Sequence, residues 1–480
     1  RTKKSGRTLL ITHMSGIQPT SPQSQAQRFQ ALRRHFDSGA TRSYAARRDA
    51  LGSLGKALKN NEAAILEAMR LDMGKPTFEA YMSELGLVYA EIAHTLKHLK
   101  EWMRPQQVRT PLAIQVSSSV VHREPLGIVL IISPWNYPLQ LLMAPLIGAI
   151  AAGNCALVKP SNEAPRTAAI IERIIAGAFS PEHVAVVQGP GGVVGPQLIE
   201  RFRFDHIFFT GSPAVGRSIM AMAAPHLTPV TLELGGKSPA IVDREVDLNA
   251  AARRIAWAKY FNAGQTCISP DHALVHADVM EPFLIAFTKQ VRAFFGEDPK
   301  QSPHFARLIN AKRFNTVKGY LQHGHIRLGG EHDLDERYVA PTVLMDVPLD
   351  SPPMREEIFG PILPVVGWRD KDEVLDLVER NPFPLSAYIF SSNPATARHF
   401  IERIPFGGGC VNHCMLQFGN PGLPFGGIGT SGMGRYHGRS SFDVFSHQKG
   451  IVTSSTLLDP GVQYPPYNAF KDRVLRWILR

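Results

Sequence analysis

The chain has 480 residues, more than one domain with a single hydrophobic core usually contains, so we predict two or three domains. Its composition, with 44% hydrophobic and 19% charged residues, is typical of globular proteins. The apolar run that comes closest to a membrane-spanning helix, residues 126–133, is only of strand length, against the roughly 20 residues that a span requires. The formal net charge is +11, but the basic residues are spread over predicted helix faces without interleaved aromatics, which favours solvated surface charge over nucleic-acid binding.

The N-terminal part of the chain divides into a leader and a helical region. Residues 1–22 have no periodicity and contain no acidic residue, so we interpret them as a disordered leader or an upstream remnant, with an amphipathic presequence as the alternative. Apolar residues then recur at helical spacing as far as Met103, and Gly-Lys-Pro at 74–76 separates the last two helices. His94 and His98 lie one turn apart without a third ligand, so we predict a solvated helix face and no metal site.

Residues 107–123 predict a small β arm outside the main core. Apolar and polar residues alternate there, and three serines at 117–119 separate the two halves. Strand-like residues return at Val444 and Phe445 and again near Ile451, so residues 440–456 are expected to pair with the arm or with another subunit. We therefore predict a homodimer with an oligomerisation arm formed by these two segments, followed by a C-terminal tail at 457–480.

Two series of apolar strands that alternate with helices occupy the rest of the chain. The strands are predicted at 128–132, 156–158, 184–187 and 206–209, and then at 240–242, 273–276, 387–390 and 409–412. Such strands are typical of parallel sheets covered on both faces, with ligands at the carboxyl ends of the strands. The predicted fold class is α/β, with two doubly wound parallel-sheet domains, one from residues 23–106 and 124–233 and one from residues 234–439.

Cys267 and Glu233 are the candidate chemical groups. Cys267 is surrounded by small and polar residues on a predicted loop, where a thiol can meet a ligand. Glu233 ends an apolar strand at the junction of the two domains, and burial there raises the pKa of a carboxyl and suits it to act as a base. A lone cysteine is more often a small buried hydrophobe, but the pair favours a nucleophile with its base in an interdomain cleft.

Several ordered segments resemble the aldehyde dehydrogenase superfamily. They are Glu-Leu-Gly-Gly-Lys at 233–237, Gly-Gln-Thr-Cys at 264–267, Pro-Trp-Asn-Tyr-Pro at 134–138 and Glu-Glu-Ile-Phe-Gly-Pro at 356–361. The glycine-rich tail at 423–434 and Phe-Ser-His at 445–447 are similar to the class 3 branch and its coniferyl aldehyde dehydrogenase relatives. The resemblance runs from about Phe29 to the C-terminus. It implies an NAD(P)-dependent aldehyde dehydrogenase in which Cys267 is the nucleophile, Glu233 the general base and Asn136 part of the oxyanion hole.

The resemblance also implies a cofactor site, with a Rossmann-like NAD(P)-binding domain first and the catalytic domain second. Independently, Ser212 is a good N-cap after a strand, and a helix N-terminus presented in this way suits the phosphates of a dinucleotide. The cofactor residues implied are Trp135, Lys159, Ser161, Asn162, Gly211, Ser212, Gly216, Leu234, Glu357 and Phe359. Asn162 stands where many relatives carry a Glu that repels a 2′-phosphate, so we expect both NAD and NADP to serve.

Two alternatives to this reaction were open: a dehydrogenase that passes the acyl group to coenzyme A, a branch that lacks the base, and a non-catalytic basic binding protein. Cys410, His413 and Cys414 form a cluster of soft ligands, but a fourth ligand is missing, so we expect ordinary packing and no metal. An apolar mouth, suggested by Tyr137, Leu141, Ile268 and Phe418, predicts an aromatic or medium-chain aliphatic aldehyde as substrate. Four cysteines in so long a chain form no disulfide framework, which points to a reducing compartment such as the cytoplasm.

Overall fold

The computed structural model describes residues 19–479. Its helices are α1 (Pro22–Asp37), α2 (Tyr44–Asn60), α3 (Glu62–Met73), α4 (Thr77–Ala80), α5 (Gly86–Trp102), α6 (Gln140–Ala152), α7 (Pro165–Ala178), α8 (Gly191–Arg201), α9 (Pro213–Ala223), α10 (Leu248–Tyr260), α11 (Met280–Phe295), α12 (Ala311–Tyr320), α13 (Pro352–Arg355), α14 (Lys371–Glu379), α15 (Pro394–Arg403), α16 (Gly438–Val444) and α17 (Ala469–Ile478). Its strands are β1 (Gln106–Val108), β2 (Ser117–Pro125), β3 (Ile128–Ile132), β4 (Cys155–Lys159), β5 (Val184–Val186), β6 (His206–Thr210), β7 (Val230–Glu233), β8 (Pro239–Val242), β9 (His272–His276), β10 (His325–Leu328), β11 (His332–Asp333), β12 (Tyr338–Val339), β13 (Thr342–Met345), β14 (Ile362–Trp368), β15 (Ser386–Phe390), β16 (Gly408–Val411), β17 (Gly432–Met433) and β18 (Ser446–Ser454).

The N-terminal helical region follows its apolar periodicity. α1 begins at Pro22, with the Ser21 hydroxyl accepting a hydrogen bond from the backbone of Ser24, and residues 1–18 of the predicted leader lie outside the described residues. The predicted break at 74–76 is present, because Gly74 ends α3 in the left-handed conformation with φ 62°. A π-helical turn, Tyr81–Leu85, joins α4 to α5. Such turns are rare and are frequent at functional sites.

The first large sheet has six strands in the order β17-β7-β6-β3-β4-β5. All neighbours are parallel except β17, which pairs antiparallel with β7 so that Gly432 lies opposite Glu233. Fully buried side chains from β3 and β4 pack against α6 and α7 on one face and against α1 and α8 on the other. Residues 432–433, which the sequence analysis placed in the catalytic domain, thus form an edge strand of the first sheet.

The second large sheet has seven strands in the order β10-β13-β14-β9-β8-β15-β16, parallel throughout except for β10. α10 and α11 cover one face, while α14 and α15 cover the other. The predicted α/β class with two doubly wound parallel sheets is confirmed.

The arm is a three-stranded antiparallel sheet in the order β1-β2-β18. The sequence-based description is wrong in two details. The three serines at 117–119 do not separate two halves, because they open β2 and the turn lies at 109–116. Val444 is also not in a strand but ends α16, where Phe442 and Phe445, three residues apart, both enter the main core. Across residues 19–479, no helix is both long and apolar enough to cross a bilayer.

Candidate active site

Cys267 follows a tight turn that leads from α10 into β9. Asn262, Ala263 and Gly264 all have positive φ, at 53°, 51° and 74°. A side chain at Gly264 is impossible, because its Cβ would lie 2.2 Å from the carbonyl oxygen of Gly360. The turn is therefore fixed by close backbone contact, and the thiol that follows it is only partly exposed.

The thiol lies against a narrow pocket of about 180 Å³. The lining is largely apolar and includes all four residues that the sequence suggested for the mouth; its main members are Met82, Leu87, Tyr137, Leu141, Trp257, Phe261, Ile268, Met415 and Phe418. The hydroxyls of Tyr137 and Thr266 are 2.6 Å apart, which ties the pocket wall to the residue beside Cys267. The pocket thus brings an apolar molecule to the sulfur.

Burial raises the pKa of the Cys267 thiol far above its usual value, and the negative charges of Glu357 and Glu233 raise it further. The backbone N–H groups of Cys267 and Ile268 act in the opposite direction. These surroundings therefore favour the neutral thiol over the thiolate. The sulfur becomes a nucleophile only when a neighbouring base accepts its proton.

Glu233 ends β7 and is only 2% exposed. Within residues 19–479 neither of its carboxyl oxygens has a hydrogen-bond partner. Burial raises the pKa of Glu233 well above its ordinary value, and the positive charge of Arg435 lowers it only in part. An unpartnered buried carboxyl is destabilising for the fold, and such groups are concentrated at functional sites.

Asn136 follows β3 and is 2% exposed. Its Nδ2 donates to the carbonyl of Gln265 at 3.0 Å, so the loop after β3 is tied to the loop that carries Cys267. The backbone carbonyl of Asn136 accepts hydrogen bonds from Lys75 Nζ at 3.1 Å and from Asn262 Nδ2 at 3.0 Å. The structure therefore brings the amide of Asn136 close to the backbone of the nucleophile loop.

Lys159, Ser161 and Asn162 form one end of the cofactor side. Lys159 is buried, its Nζ donates to the carbonyl of Pro160 at 3.1 Å, and burial lowers its pKa to about 8. Ser161 Oγ accepts from the backbone of Glu163 at 3.3 Å. A Cβ on Gly191, at the start of α8, would lie 3.9 Å from Lys159 Nζ, and the Gly191 N–H donates to Asn162 Oδ1 at 3.3 Å. The sequence analysis did not include Gly191 in the cofactor site.

Gly211, Ser212, Gly216 and Leu234 lie together at the start of α9. The Ser212 hydroxyl caps this helix, and the Gly211 N–H donates to the carbonyl of Glu233 at 3.0 Å. A Cβ on Gly216 would lie 2.7 Å from Leu234 Cδ2, so only glycine lets the helix lie this close to the strand end. The helix terminus predicted to bind phosphates and the candidate base are thus directly connected.

Trp135 and Phe359 come from the two different domains and meet edge to face, with ring centroids 5.4 Å apart. Beside them, burial raises the pKa of Glu357 to about 8, and the negative charge of Asp271 adds to this shift. Glu357 Oε1 is buried and unpartnered in the described part of the chain, which fits a carboxylate that awaits a ligand hydroxyl.

Lys237 and Asp271 support this segment and were not identified as supporting residues from the sequence. They form a buried ion pair, and Lys237 Nζ also donates to the carbonyls of Pro353 at 2.8 Å and Glu356 at 2.9 Å. Asp271 Oδ1 accepts from the backbone of Ile358 at 2.8 Å. The sequence pointed to this ion pair only through Lys237, which is part of the Glu-Leu-Gly-Gly-Lys segment. It could not show that Lys237 and Asp271 are buried together, because a sequence does not reveal whether a charged residue is buried.

Cys410 and Cys414 do not form a ligand set. Cys410 Sγ donates to Gln417 Oε1 at 2.9 Å, and Cys414 is fully buried in the second core. Nowhere between residues 19 and 479 do three or more His, Cys, Asp or Glu side chains group closely enough to hold a metal ion.

The residues present fit a nicotinamide dinucleotide. A capped helix terminus suits its phosphates, Lys159 offers a buried cation, and Glu357 offers a free acceptor for a ribose hydroxyl. Trp135 and Phe359 lie at the junction with the thiol side of the cleft. The helix terminus and Lys159 come from the first domain, and the thiol comes from the second.

Comparison with known proteins agrees with this arrangement. Residues 14–451 match the family model described as the aldehyde dehydrogenase family. The chain is 43% identical to the 4,4'-diaponeurosporen-aldehyde dehydrogenase of Staphylococcus aureus (strain NCTC 8325 / PS 47), covering 92% of this chain and 96% of that protein. It is 42% identical to aldehyde dehydrogenase family 3 member B3 of Mus musculus, with 97% of each chain covered.

Solved structures give the same result and show cofactors. The substrate-bound state of Staphylococcus aureus AldH superposes with a TM-score of 0.92 at 42% identity, covering 95% of this chain and 99% of that one. An indole-3-acetaldehyde dehydrogenase in complex with NAD+ has a TM-score of 0.83 at 28% identity, with 90% and 89% covered. A glyceraldehyde-3-phosphate dehydrogenase of Methanocaldococcus jannaschii complexed with NADP has a TM-score of 0.82 at 26% identity, with 92% and 96% covered. Because the family match and the relatives extend over almost the whole length, this chain belongs to the aldehyde dehydrogenase family and is an oxidoreductase that acts on aldehydes.

Proposed function

We propose that this enzyme oxidises an aromatic or medium-chain aliphatic aldehyde to the carboxylic acid through an acyl-cysteine intermediate. The observation that carries the proposal is that a thiol on an apolar pocket lies near an unpartnered buried carboxyl, that of Glu233, whose negative charge acts on the thiol. Cys267 is the nucleophile, Glu233 the general base, and Asn136 acts with the Cys267 N–H at the oxyanion site.

In the first half-reaction, a carboxylate in the cleft accepts the proton of Cys267, and Sγ attacks the aldehyde carbon to form a thiohemiacetal. The carbonyl oxygen gains negative charge in this step. It is stabilised by donors from Asn136 Nδ2 and the Cys267 N–H, which are preorganised by the hydrogen bond between Asn136 and Gln265. When bound, the oxidised nicotinamide accepts the hydride that turns the thiohemiacetal into a thioester.

In the second half-reaction, Glu233 accepts a proton from a water molecule whose oxygen attacks the thioester carbon. The C–S bond then breaks, the sulfur recovers a proton, and the acid leaves. Glu233 suits this task because burial raises its pKa well above its ordinary value, so that its carboxylate is a stronger base than an exposed one. A retained base of this kind favours water over coenzyme A as the acyl acceptor.

The pocket supports the substrate class. It is lined mainly by apolar side chains and has a volume of about 180 Å³. Trp257, Phe261 and Phe418 can pack on an aromatic ring or an alkyl chain. The Staphylococcus aureus relative is named for an aldehyde of a different kind, 4,4'-diaponeurosporen-aldehyde. A panel of aromatic and aliphatic aldehydes, assayed by the absorbance of reduced nicotinamide, tests the assignment. Faster turnover of short polar aldehydes than of apolar ones would contradict it.

We further propose a cytoplasmic homodimer that forms through the arm. The four cysteines are all free thiols, which suits a reducing compartment. β18 is an edge strand, and its nine residues are mostly exposed, including Ile451 and Val452. Such an edge is open to pairing with a second copy. Sedimentation at micromolar concentration should show a dimer, and a monomer there would overturn this part of the proposal.

A further inference from the structure

A buried charge cluster, formed by Lys75, Glu79 and Glu84, lies behind the oxyanion site. The three residues are 0%, 7% and 0% exposed, and Lys75 Nζ is 2.5 Å from Glu84 Oε1. Burial of charged groups destabilises a fold unless they are paired and hydrogen-bonded. The proposed mechanism uses none of the three, so their retention at this place requires another explanation.

Two members of the cluster hold the segment that contains Asn136. Lys75 Nζ donates to the Asn136 carbonyl at 3.1 Å and lies 4.2 Å from the centre of the Tyr137 ring. Glu84 Oε2 accepts from the backbone N–H of Leu139 at 2.9 Å. The two ends of the segment are thus bound to one ion pair.

Glu79 contacts the other side of the oxyanion site. Its Oε1 accepts a hydrogen bond from the backbone N–H of Asn262, the first of two non-glycine residues in the left-handed conformation. Such residues are strained, and they persist only where the surroundings hold them. Asn262 Nδ2 in turn donates to the carbonyls of Asn136 at 3.0 Å and Gln265 at 3.2 Å.

We infer that Glu79 is a positioning residue for the oxyanion site: it holds the left-handed turn at Asn262 so that the Asn136 amide and the Cys267 N–H converge on one oxygen. The inference rests on the proposed function. The chain of contacts is continuous, from Glu79 through Asn262 to both carbonyls, and Asn136 Nδ2 also bonds to Gln265. Because Glu79 lies behind the loop and touches no reacting atom, it acts through these groups.

The test compares Glu79→Ala with the matched control Glu79→Gln, in which the amide oxygen can still accept from Asn262. Rapid mixing measures the burst of reduced cofactor, and titration measures the Kd for NAD. We expect Glu79→Ala to slow the burst by about 10- to 100-fold, since small displacements of catalytic groups have effects of this size, and Glu79→Gln to stay within about fivefold of wild type. The Kd for NAD should change by less than about twofold, since the cofactor residues are not contacted.

A double-mutant cycle tests whether Glu79 acts through Asn136. In an Asn136→Ala background, Glu79→Ala should slow the burst by a clearly smaller factor than it does in the wild-type background, because one of the two donors that it positions is already lost. The inference would be overturned if the double variant slowed the burst by the product of the two single factors. Equal burst rates in Glu79→Ala and wild type would overturn it as well. If Glu79→Ala does not fold, Glu79→Leu replaces it: its side chain offers no acceptor to the Asn262 N–H, so a wild-type burst in that variant contradicts the inference.

Hydrogen exchange gives a readout that does not depend on turnover. Peptides that cover residues 261–267 should exchange faster in Glu79→Ala than in wild type or Glu79→Gln, while those that cover β9 should not change. A wild-type enzyme that neither reduces NAD in the presence of an aldehyde nor carries an acyl adduct would refute the proposed function, whereas unchanged exchange at 261–267 would refute the positioning role by itself.

Discussion

The two large sheets contribute to the cleft from opposite ends. In the first sheet, the candidate residues stand where strands finish: Asn136 after β3, Lys159 at the end of β4, Gly211 after β6 and Glu233 at the end of β7. In the second sheet they stand where strands begin, with Cys267 five residues before β9. Phe359 likewise lies three residues before β14.

Ligands usually bind at the carboxyl ends of parallel strands. In this molecule that rule applies only to the first sheet, which is expected to bind the cofactor. There, strand ends lead into helix N-termini, whose backbone N–H groups suit phosphates. The second sheet instead presents a loop held by positive-φ residues, which places one thiol against donors from both halves. Cofactor binding by the first side and the nucleophile of the second side are therefore expected to be separable by substitution, and the following predictions test that separation in order of effect.

Replacement of Cys267 by Ser should give the largest effect, on the second side alone. A hydroxyl is a far weaker nucleophile at neutral pH, so kcat should fall on the order of a thousandfold or more. The Kd for NAD, measured by fluorescence titration, should stay near that of wild type. Appreciable turnover in this variant would remove Cys267 from the mechanism.

Glu233→Gln should separate the two half-reactions. Steady-state turnover should fall by roughly 10²- to 10⁴-fold, the usual contribution of a general base, while the first burst of reduced cofactor persists, because hydride transfer precedes hydrolysis. Rapid mixing and intact mass should show an acyl adduct on Cys267. Normal turnover without an adduct would mean that another group activates the water.

The hydrolytic step should speed up as the pH rises. Burial has raised the pKa of Glu233 well above its usual value, so below that pKa the carboxyl is protonated and cannot accept a proton from water. We expect the rate of acyl-enzyme hydrolysis to rise by up to about tenfold per pH unit below that pKa and to level off above it. Single-turnover hydrolysis, followed upward from the pH at which an ordinary glutamate titrates (about 4 to 5), measures this, and a rate that no longer changes above that pH would contradict the base role.

Lys159→Met tests the first side alone. It removes the buried cation beside Gly191 and should raise the KM for NAD about tenfold or more, as expected for the loss of a hydrogen bond to a charged group. The alkylation rate of Cys267 in the absence of cofactor should not change, and mass spectrometry can follow it. A slower alkylation would show that the two sides are not independent.

Asn162→Glu should have the smallest effect, and it concerns the choice of cofactor. Asn162 carries no charge, and Glu163 beside it is engaged by Asn310 Nδ2 at 2.9 Å, so no free carboxylate is evident to repel a 2′-phosphate. We expect the parent to use both cofactors, with NAD favoured modestly at most. The variant should lose about tenfold in kcat/KM for NADP and about twofold for NAD. A parent that already excludes NADP as strongly as the variant would contradict this.

Much of the architecture follows from the local pattern of the sequence. Strands such as 128–132 and 206–209 are buried on both faces, so each is an almost uninterrupted run of apolar residues that the sequence shows directly. The structure has both strands within a residue of the predicted bounds. The error at Val444 arose because two apolar neighbours are typical of a strand, whereas Phe442 and Phe445 pack into the core at helical spacing. Periodicity cannot distinguish these cases in a short segment.

The sequence by itself determined the family and the identity of the candidate groups, because the signature segments keep the residue types that the chemistry requires. Only the tertiary structure decided how they are held. The hydrogen bond from Lys75 to Asn136 joins residues 61 positions apart, and that from Asn262 to Glu79 joins residues 183 positions apart. The packing of Gly216 on Leu234 likewise joins a helix to the end of a separate strand. Burial and hydrogen-bond partners at such separations depend on how distant segments pack, and no local pattern records them.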